Sequence, residues 1–366
     1  MKKYKFACFL MVLLTFTACD SKDNSAQHSA EFFAMDTYVK FTAYGENAEA
    51  ALEQAKQRFV ELEALWSVTD ENSEIYAINH SDGNSTTVSE QTADLISYAL
   101  QTARETKTFE PTIYPILTAW GFTTGENRVP SKEEIQTLLR NVGSEKVSVE
   151  GNSVRLENGA QLDLGAIGKG AAGDEVVRIL KENGINSALL DIGGNIQLIG
   201  QKNGTDWRLG IRNPFGEGTA GVLEISDTAV VTSGNYERFF TDESGKVYGH
   251  IIDPATGYPA DSGLASATIV ASEGKRADAL STAIFIMGLE NAAEYWRENC
   301  DFEMILISQD GEIHLTEGLR ERFTTNLAYG KGVHVIGYEE DIKPVYDTRN
   351  KTRTCEYRHG LRNVPL

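Results

Sequence analysis

The segment Asp163-Leu-Gly-Ala-Ile-Gly-Lys-Gly-Ala-Ala-Gly-Asp174 is the most informative stretch of this 366-residue chain. It leads into a helical pattern that ends at Gly184, and its closely spaced glycines allow a backbone to approach a ligand. N–H groups at the start of that helix and the Lys169 ammonium could together bind a phosphate. A glycine-rich packing turn with a solvated lysine is the alternative that the spacing leaves open. A Walker A loop is excluded, because Gly170 rather than Ser or Thr follows the lysine.

Around this segment, hydrophobic periodicity predicts a mixture of helices and hairpin-like strands. Irregular placement of these elements favours the α+β class over a regular βαβ series, with an antiparallel sheet and packed helices. We predict a single catalytic domain over 31–330, followed by a C-terminal tail at 331–366 whose role the sequence does not indicate. The predicted helices are 48–65, 89–104 and 132–142, and the predicted strands are 38–43, 187–192, 196–199, 229–232, 267–271 and 304–307.

The composition is that of a soluble globular protein, with 41% hydrophobic and 24% charged residues. The chain carries 34 basic and 53 acidic side chains, for a formal net charge of −19. Nucleic-acid binding is excluded as a function, because phosphate backbones require clustered Lys and Arg. An anionic ligand must therefore be held by local backbone N–H groups, by a few cations or by a metal.

The N-terminus has the features of a bacterial lipoprotein leader. Three lysines precede an apolar run over 6–18, which is too short for a membrane-spanning helix and typical of a signal peptide. Small residues precede Cys19, so we predict a signal peptide over 1–18, lipidation of Cys19 and a flexible tether over 19–30. The protein would then be anchored to the extracytoplasmic (periplasmic) face of the cell membrane. An ordinary secreted protein with an incidental cysteine is the alternative, and Cys300 is interpreted as structural.

Asp278 and Thr282 form a candidate metal site on the segment 277–288. Four residues apart on a helix, they share one face and offer only oxygen ligands. Such a partial shell suits Mg²⁺, which retains waters and binds substrate phosphates. Alternatively, Asp278 is a charge of the first helical turn and the Thr282 hydroxyl bonds back to its own helix.

His250 is a candidate general base, because it lies at the end of a predicted strand facing the turn at 253–257. We expect its pKa near working pH, although a lone histidine also fits a structural role. The segment 232–238 is a polar turn after a buried strand and is a further candidate for lining a pocket. No serine lies in a Gly-x-Ser-x-Gly motif, so we do not predict a serine hydrolase.

In combination, these motifs closely resemble the ApbE-like FAD:protein FMN transferases, a flavin transferase family whose members are commonly exported lipoproteins. The resemblance covers about residues 31–325 and implies a T-fold-like α+β fold. It rests on a series of segments in order along the chain: 34–37, 109–112, 120–122, 163–174, 193–195, 232–234, 250–257 and 277–288.

The resemblance also implies substrate, cofactor, partners and site residues. The family transfers FMN from FAD to a Thr or Ser hydroxyl of an acceptor protein, requires Mg²⁺ and releases AMP. Here the acceptor would be a subunit of an extracytoplasmic or membrane redox complex. The family histidine that deprotonates the acceptor hydroxyl corresponds to His250. The implied Mg²⁺ ligands are the Ala166 carbonyl, Asp278 and Thr282. The implied FAD-binding positions are Met35, Glu110, Pro111, Thr112, Asp163, Lys169 and Ile252.

Three other functions compete with this hypothesis. Attack by water instead of a hydroxyl would make the protein a Mg²⁺-dependent FAD pyrophosphatase that yields FMN and AMP. A non-catalytic FAD-binding lipoprotein would not need the metal pair at Asp278 and Thr282. A self-flavinylated carrier would need an acceptor motif of the type Ser/Thr-Gly-Ala-Thr, and the chain contains none.

Overall fold

The computed structural model describes residues 26–157, 159–338, 342–347 and 352–357. The predicted signal peptide and the predicted lipidation site at Cys19 lie outside these residues. So do parts of the predicted C-terminal tail, namely 339–341, 348–351 and 358–366.

Seven α-helices occur in the described part of the chain. Polar side chains cap several of them: the Ser89 hydroxyl, for example, accepts a hydrogen bond from the Thr92 N–H at the start of the third helix. The helices are α1 Ala48–Trp66, α2 Glu74–Asn79, α3 Glu90–Thr106, α4 Tyr114–Trp120, α5 Lys132–Leu138, α6 Gly168–Glu182 and α7 Gly274–Asn299.

The strands are more numerous and mostly short. In chain order they are β1 Gln27–Ala34, β2 Thr37–Tyr44, β3 Thr86–Thr87, β4 Val147–Glu150, β5 Ser153–Leu156, β6 Ala188–Ile192, β7 Asn195–Ile199, β8 Trp207–Arg212, β9 Thr219–Ile225, β10 Ala229–Gly234, β11 Phe239–Thr241, β12 Val247–Gly249, β13 Leu264–Ala271, β14 Phe302–Ser308, β15 Ile313–Thr316, β16 Phe323–Thr325, β17 Val333–Ile336, β18 Ile342–Asp347 and β19 Thr352–Tyr357.

A nine-stranded sheet in the order β1-β2-β6-β7-β10-β13-β14-β15-β17 forms the centre of the fold. All neighbours in it are antiparallel except β15 and β17, which are parallel. The sheet has buried side chains on both faces. Helices α1, α6 and α7 cover one face, whereas β8, β9 and β16 form a small sheet over the other. The predicted α+β class with an antiparallel sheet is confirmed.

The predicted elements agree with the structure except near their ends. The helix predicted at 132–142 is shorter, because the α-helical part ends at Leu138 and a 3₁₀ turn follows over Leu139–Asn141. Gly143, with a φ of 148°, then turns the chain away. Cys300, interpreted as structural, is fully buried and disulfide-bonded at the end of α7.

The sheet extends beyond the predicted domain limits of 31 and 330. Strand β1 begins at Gln27, inside the predicted tether, and pairs with β2 along its whole length. Strand β17 lies in the predicted tail and pairs with β15. Both are edge strands, whose backbone pairing does not need the apolar alternation on which the sequence-based limits rested.

Helix α7 contains a break that its sequence marks with Gly288. This residue has a φ of 77°, in the left-handed region. A Cβ there would lie 2.8 Å from the Ser262 carbonyl oxygen, so a larger residue would be excluded by both backbone conformation and space. The predicted segment 277–288 therefore corresponds to the first half of α7. In the described part of the chain, no helix combines the length and apolar character that a membrane span requires.

Candidate active site

The predicted site residues converge on one end of the nine-stranded sheet. The turn Met35-Asp36 joins β1 to β2 there, and the turn Gly193-Gly194 joins β6 to β7. The two turns touch, because a Cβ on Gly193 would lie 2.0 Å from Thr37 Oγ1. Strand β10 ends at this same end of the sheet, and α6 and α7 pack across one face of the sheet there.

The glycine-rich segment allows α6 and α7 to approach each other closely. A Cβ on Gly170 would lie 2.2 Å from the Gly274 carbonyl oxygen and 2.8 Å from Asp278 Cβ, so only glycine fits. Asp174 joins the two helices by accepting hydrogen bonds from the N–H groups of Gly274 (2.5 Å) and Lys275 (2.9 Å) at the start of α7. Burial raises the pKa of Asp174 to about 6, although these hydrogen bonds oppose the shift.

This approach places the Asp278 carboxylate at the beginning of α6. Asp278 is 4% exposed, and its Oδ2 accepts a hydrogen bond of 2.8 Å from the Gly170 N–H. In a regular helix that N–H would donate to the Ala166 carbonyl four residues earlier. Within the described residues the Ala166 carbonyl therefore lacks this donor, and its oxygen is available to a cation.

Thr282 lies one helical turn after Asp278 on the same face, as predicted. Among the described residues, the hydroxyl that bonds back to the Asp278 carbonyl is that of Ser281, at 2.8 Å, and not that of Thr282. The Ser281 oxygen lies 2.8 Å from the Ser233 hydroxyl, and Ser233 lies 3.5 Å from Thr282 Oγ1. The alternative of a back-bonded Thr282 is thus not what the structure contains.

A carbonyl, a carboxylate and a hydroxyl are hard oxygen donors and fit Mg²⁺. Among the described residues there is no cluster of three or more His, Cys, Asp or Glu that could hold a metal by itself. A cation at Ala166, Asp278 and Thr282 would consequently keep open positions for water and for a phosphate of its substrate.

Asp163 and Lys169 flank the start of α6. The Asp163 Oδ1 accepts a hydrogen bond of 2.6 Å from the Gly165 N–H, and Lys169 Nζ donates to the Gly165 carbonyl at 3.3 Å. Burial raises the pKa of Asp163, whereas that hydrogen bond and the charge of Lys169 oppose the shift. The Lys169 ammonium retains donors for an anionic ligand, because this single contact uses one of its three.

Glu110, Pro111 and Thr112 hold a neighbouring loop in place. Glu110 accepts from the N–H and hydroxyl of Thr112, at 3.0 and 2.7 Å, and from the Ser144 N–H at 3.1 Å. Burial raises the pKa of Glu110, against these hydrogen bonds. The Pro111 carbonyl accepts from the Asp163 N–H at 2.8 Å. This segment therefore fixes the position of Asp163.

Met35 and Asp36 both adopt left-handed φ values, 49° and 57°. The Met35 N–H donates to Glu63 Oε1 at 2.5 Å, and Asp36 forms an ion pair of 3.7 Å with Arg238. The turn is thereby attached to the chain that precedes β11. Ile252 packs in a small core with Trp120, and its side chain is 6% exposed.

His250 follows β12, as predicted, and is held by the backbone of Arg238. Its Nδ1 lies 3.1 Å from the Arg238 carbonyl oxygen. Because a carbonyl only accepts, Nδ1 carries the proton and Nε2 of the neutral ring is an acceptor. Burial lowers the pKa of His250 to about 4, and the charges of Arg238 and Lys169 act in the same direction. The expectation of a pKa near working pH is therefore wrong, but the ring is neutral over a wide pH range.

The charge of Lys169 acts on Asp163, Glu237 and His250, so each of these side chains lies within electrostatic range of Lys169. Burial raises the pKa of Glu237; Lys169 and Arg212 oppose this, and Asp278 adds to it. Sequence reasoning singled out the segment 232–238 but not Glu237 itself. The orientation of a side chain in an irregular turn has no periodic signal.

The sequence profile of the ApbE family matches residues 35–306 of the chain. The chain is 30% identical to the FAD:protein FMN transferase of Treponema pallidum (strain Nichols), over 87% of this chain and 95% of that protein. It is 31% identical to the FAD:protein FMN transferase of Klebsiella pneumoniae (strain 342), over 81% and 93% respectively. The crystal structure of the ApbE protein from Thermotoga maritima superposes with a TM-score of 0.77 at 32% identity, covering 81% of this chain and 99% of that one.

Proposed function

The chain belongs to the ApbE family, and we propose that this flavin transferase passes FMN from FAD to a Thr or Ser hydroxyl of an acceptor protein. The proposed reaction requires Mg²⁺ and releases AMP. One observation carries the proposal: at the start of α6, the helix that carries Lys169, Asp278 accepts the Gly170 N–H, and the Ala166 carbonyl is left without a hydrogen-bond donor among the described residues. The oxygen ligands and the cation that a pyrophosphate requires are thus grouped at one helix terminus.

Two groups of this site would bind the pyrophosphate. The Lys169 ammonium neutralises and orients its oxygens, and the positive end of the α6 dipole favours the same negative charge. Ala166, Asp278 and Thr282 would hold Mg²⁺, which when bound stabilises the negative charge that develops on phosphoryl transfer. Local groups are needed for this purpose, because the overall charge of −19 repels an anionic substrate.

His250 supplies the base. The acceptor hydroxyl oxygen attacks the phosphorus of the FMN half, the bond from that phosphorus to the bridging oxygen breaks, and AMP leaves with the bridging oxygen. The hydroxyl proton passes to Nε2 of His250, which is free to accept it because the ring proton lies on Nδ1, where it is donated to the Arg238 carbonyl. A neutral hydroxyl is a weak nucleophile, so removal of this proton is required for transfer.

The protein would act at the extracytoplasmic face of the membrane. This proposal is supported by the lipoprotein-like leader and by the position of β1, which begins at Gln27. Eight peptide steps separate Cys19 from Gln27 and span at most roughly 28 Å. A lipid on Cys19 would thus keep the catalytic domain close to the bilayer, where a membrane-bound redox subunit would meet a high effective concentration of enzyme.

One reconstitution tests the proposal. The mature protein from residue 20 is mixed with FAD, MgCl₂ and an acceptor domain that contains a Ser/Thr-Gly-Ala-Thr motif. Flavin fluorescence is then followed on a denaturing gel, and AMP and FMN are measured in solution. We expect a fluorescent acceptor band that requires Mg²⁺, with one AMP per flavin. Free FMN and AMP without a band would instead indicate the pyrophosphatase, and bound FAD without products would indicate a binding protein.

A further inference from the structure

Asn195 presents a buried carboxamide that no part of the proposed mechanism uses. The residue is 1% exposed, and neither its Oδ1 nor its Nδ2 has a hydrogen-bond partner in the described structure. Buried polar side chains nearly always have a partner, and an unpaired amide disfavours folding. A polar group of a bound ligand would satisfy this carboxamide, since the described residues do not.

The alternation of β7 shows which way this carboxamide points. Side chains two residues apart on a strand share a face. Gln197, two residues after Asn195, donates from Nε2 to the Gly170 carbonyl at 2.9 Å, so it points at the start of α6. Ile196 and Leu198 instead pack in the cluster on the other face of the sheet. Asn195 therefore faces the helices α6 and α7.

The neighbouring strand places Asn195 at the end of the sheet where the cation ligands lie. Asn195 is the first residue of β7 and pairs with Val231 of β10. Two residues further along β10, Ser233 lies on the same face and bonds Ser281 of α7 at 2.8 Å. Asn195 and Ser233 thus lie on the face of the sheet that packs against the segment of α7 carrying Asp278 and Thr282.

We propose that Asn195 is a further residue of the cation–pyrophosphate site. Its Oδ1 faces the divalent cation, directly or through a cation-bound water, and its Nδ2 donates to a phosphate oxygen. A free acceptor beside a free donor matches a cation that needs oxygen ligands and a phosphate that needs N–H donors. This inference rests on the proposed function.

The test compares variants by thermal unfolding with and without saturating FAD, across a MgCl₂ titration. In Asn195→Leu we expect a higher melting temperature without ligands, because the unpaired amide is removed. We expect the MgCl₂ concentration for half-maximal stabilisation of the FAD complex to rise at least tenfold. Asn195→Ala should show the same rise in required MgCl₂ with a lower unliganded melting temperature, which keeps the test valid if leucine does not fit.

Ser266→Ala is the matched control. Ser266 is also 1% exposed with an unpartnered hydroxyl, but it neighbours Ala267, which packs against α7, so it faces the opposite side of the sheet. Its replacement should leave the MgCl₂ requirement unchanged. A wild-type MgCl₂ requirement in both Asn195 variants would overturn the inference alone, as would an equal rise in Ser266→Ala. A wild-type protein that FAD and MgCl₂ do not stabilise would overturn the proposed function as well.

Discussion

At the scale of single residues, backbone groups engage one side of each reactive side chain and leave the other side available. The Arg238 carbonyl holds Nδ1 of His250, and the Gly170 N–H holds Oδ2 of Asp278. Each contact fixes an orientation without neutralising the group that would act. The reactive atoms are then Nε2 of His250 and Oδ1 of Asp278, and both can be tested by substitutions that preserve shape.

His250 should remain an effective base in mildly acidic solution. Its pKa of about 4 means that the ring loses its acceptor only when the pH falls through about 4, whereas an ordinary histidine would be protonated below about 6.5. We expect transfer activity attributable to His250 to be undiminished between pH 7 and pH 5.5, measured as the initial rate of acceptor flavinylation at saturating FAD.

The matched variant for this prediction is His250→Asn, whose amide nitrogen occupies the place of Nδ1 and can still donate to the Arg238 carbonyl but which cannot take a proton. Its rate should fall roughly 10²–10⁴-fold, with FAD binding retained. A fall in the wild-type transfer rate near pH 6.5 would show that burial does not lower the pKa of His250, and transfer at the wild-type rate by the asparagine variant would remove its role as base.

Asp278→Asn should abolish transfer with little loss of stability. The asparagine oxygen can still accept the Gly170 N–H, but the negative charge that attracts a cation is gone. We expect a rate loss of at least roughly 100-fold, a melting temperature within a few degrees of the wild type and partial retention of FAD binding. Transfer at the wild-type rate, measured with FAD and MgCl₂, would contradict the assignment of this residue to the cation site.

At the scale of elements, the crossing of α6 and α7 builds the site. Gly170 and Gly274 lack the side chains that would separate the two helices, and Gly173 leaves room for Gln197 of β7. Gln197 and Asp174 then supply hydrogen bonds at this contact. For this helix contact, the absence of side chains in the glycine-rich segment matters more than the conformational freedom of its backbone. The resulting contact connects the phosphate-facing end of α6 to the cation-facing side of α7.

Gly170→Ala should separate the two helices. Its Cβ would meet the Gly274 carbonyl at 2.2 Å, so the backbone must shift, at about 1–3 kcal/mol in the free energy of unfolding. Transfer should fall together with stability, measured by urea unfolding and by acceptor flavinylation. Gly168→Ala is the control on the same helix, because its Cβ would meet only Trp66 Cε3 at 3.8 Å; equal effects of the two variants would refute the packing argument.

Asp174 should make stability depend on pH through its capping of α7. Its folded-state pKa of about 6 lies above the ordinary value of 3.8, so its titration favours the folded state below pH 4 and this contribution is lost as the pH rises through 6. The free energy of unfolding of the wild type relative to Asp174→Asn should therefore decrease between pH 4 and pH 7. Parallel pH profiles of the two proteins in urea unfolding would contradict this prediction.

At the scale of the whole molecule, the nine-stranded sheet brings together residues from Met35 to Thr282. It does so because the hairpins β1–β2 and β6–β7 turn at the same end of the sheet at which β10 ends. Residues far apart in sequence thereby share one site, and the three-stranded sheet β16-β9-β8 covers the opposite face.

Cys19→Ala should release the protein from the membrane without impairing its chemistry. The proposed lipid on Cys19 would supply the apolar chains that hold the protein at the bilayer. After expression of the full chain in a bacterial host, we expect the wild type in the membrane fraction and the variant in the soluble fraction, each with the same transfer rate on a soluble acceptor. Membrane association of the variant would contradict lipid anchoring.

The sequence by itself determined the features that depend on neighbours in the chain. Helices α3 and α6 and strands β2 and β10 follow from hydrophobic periodicity, and the helical spacing of four residues placed Asp278 and Thr282 on one face. The family resemblance rests on the same local motifs.

Only the tertiary structure decided the features that depend on contacts between distant segments. These are the diversion of the Gly170 N–H to Asp278, the burial that lowers the pKa of His250, the nearness of Glu237 to Lys169 and the unpaired carboxamide of Asn195. Desolvation and hydrogen bonding across more than a hundred residues of chain leave no periodic trace in a sequence. They arise where backbones from separate elements meet, and that meeting is set by the packing of the whole sheet against its helices.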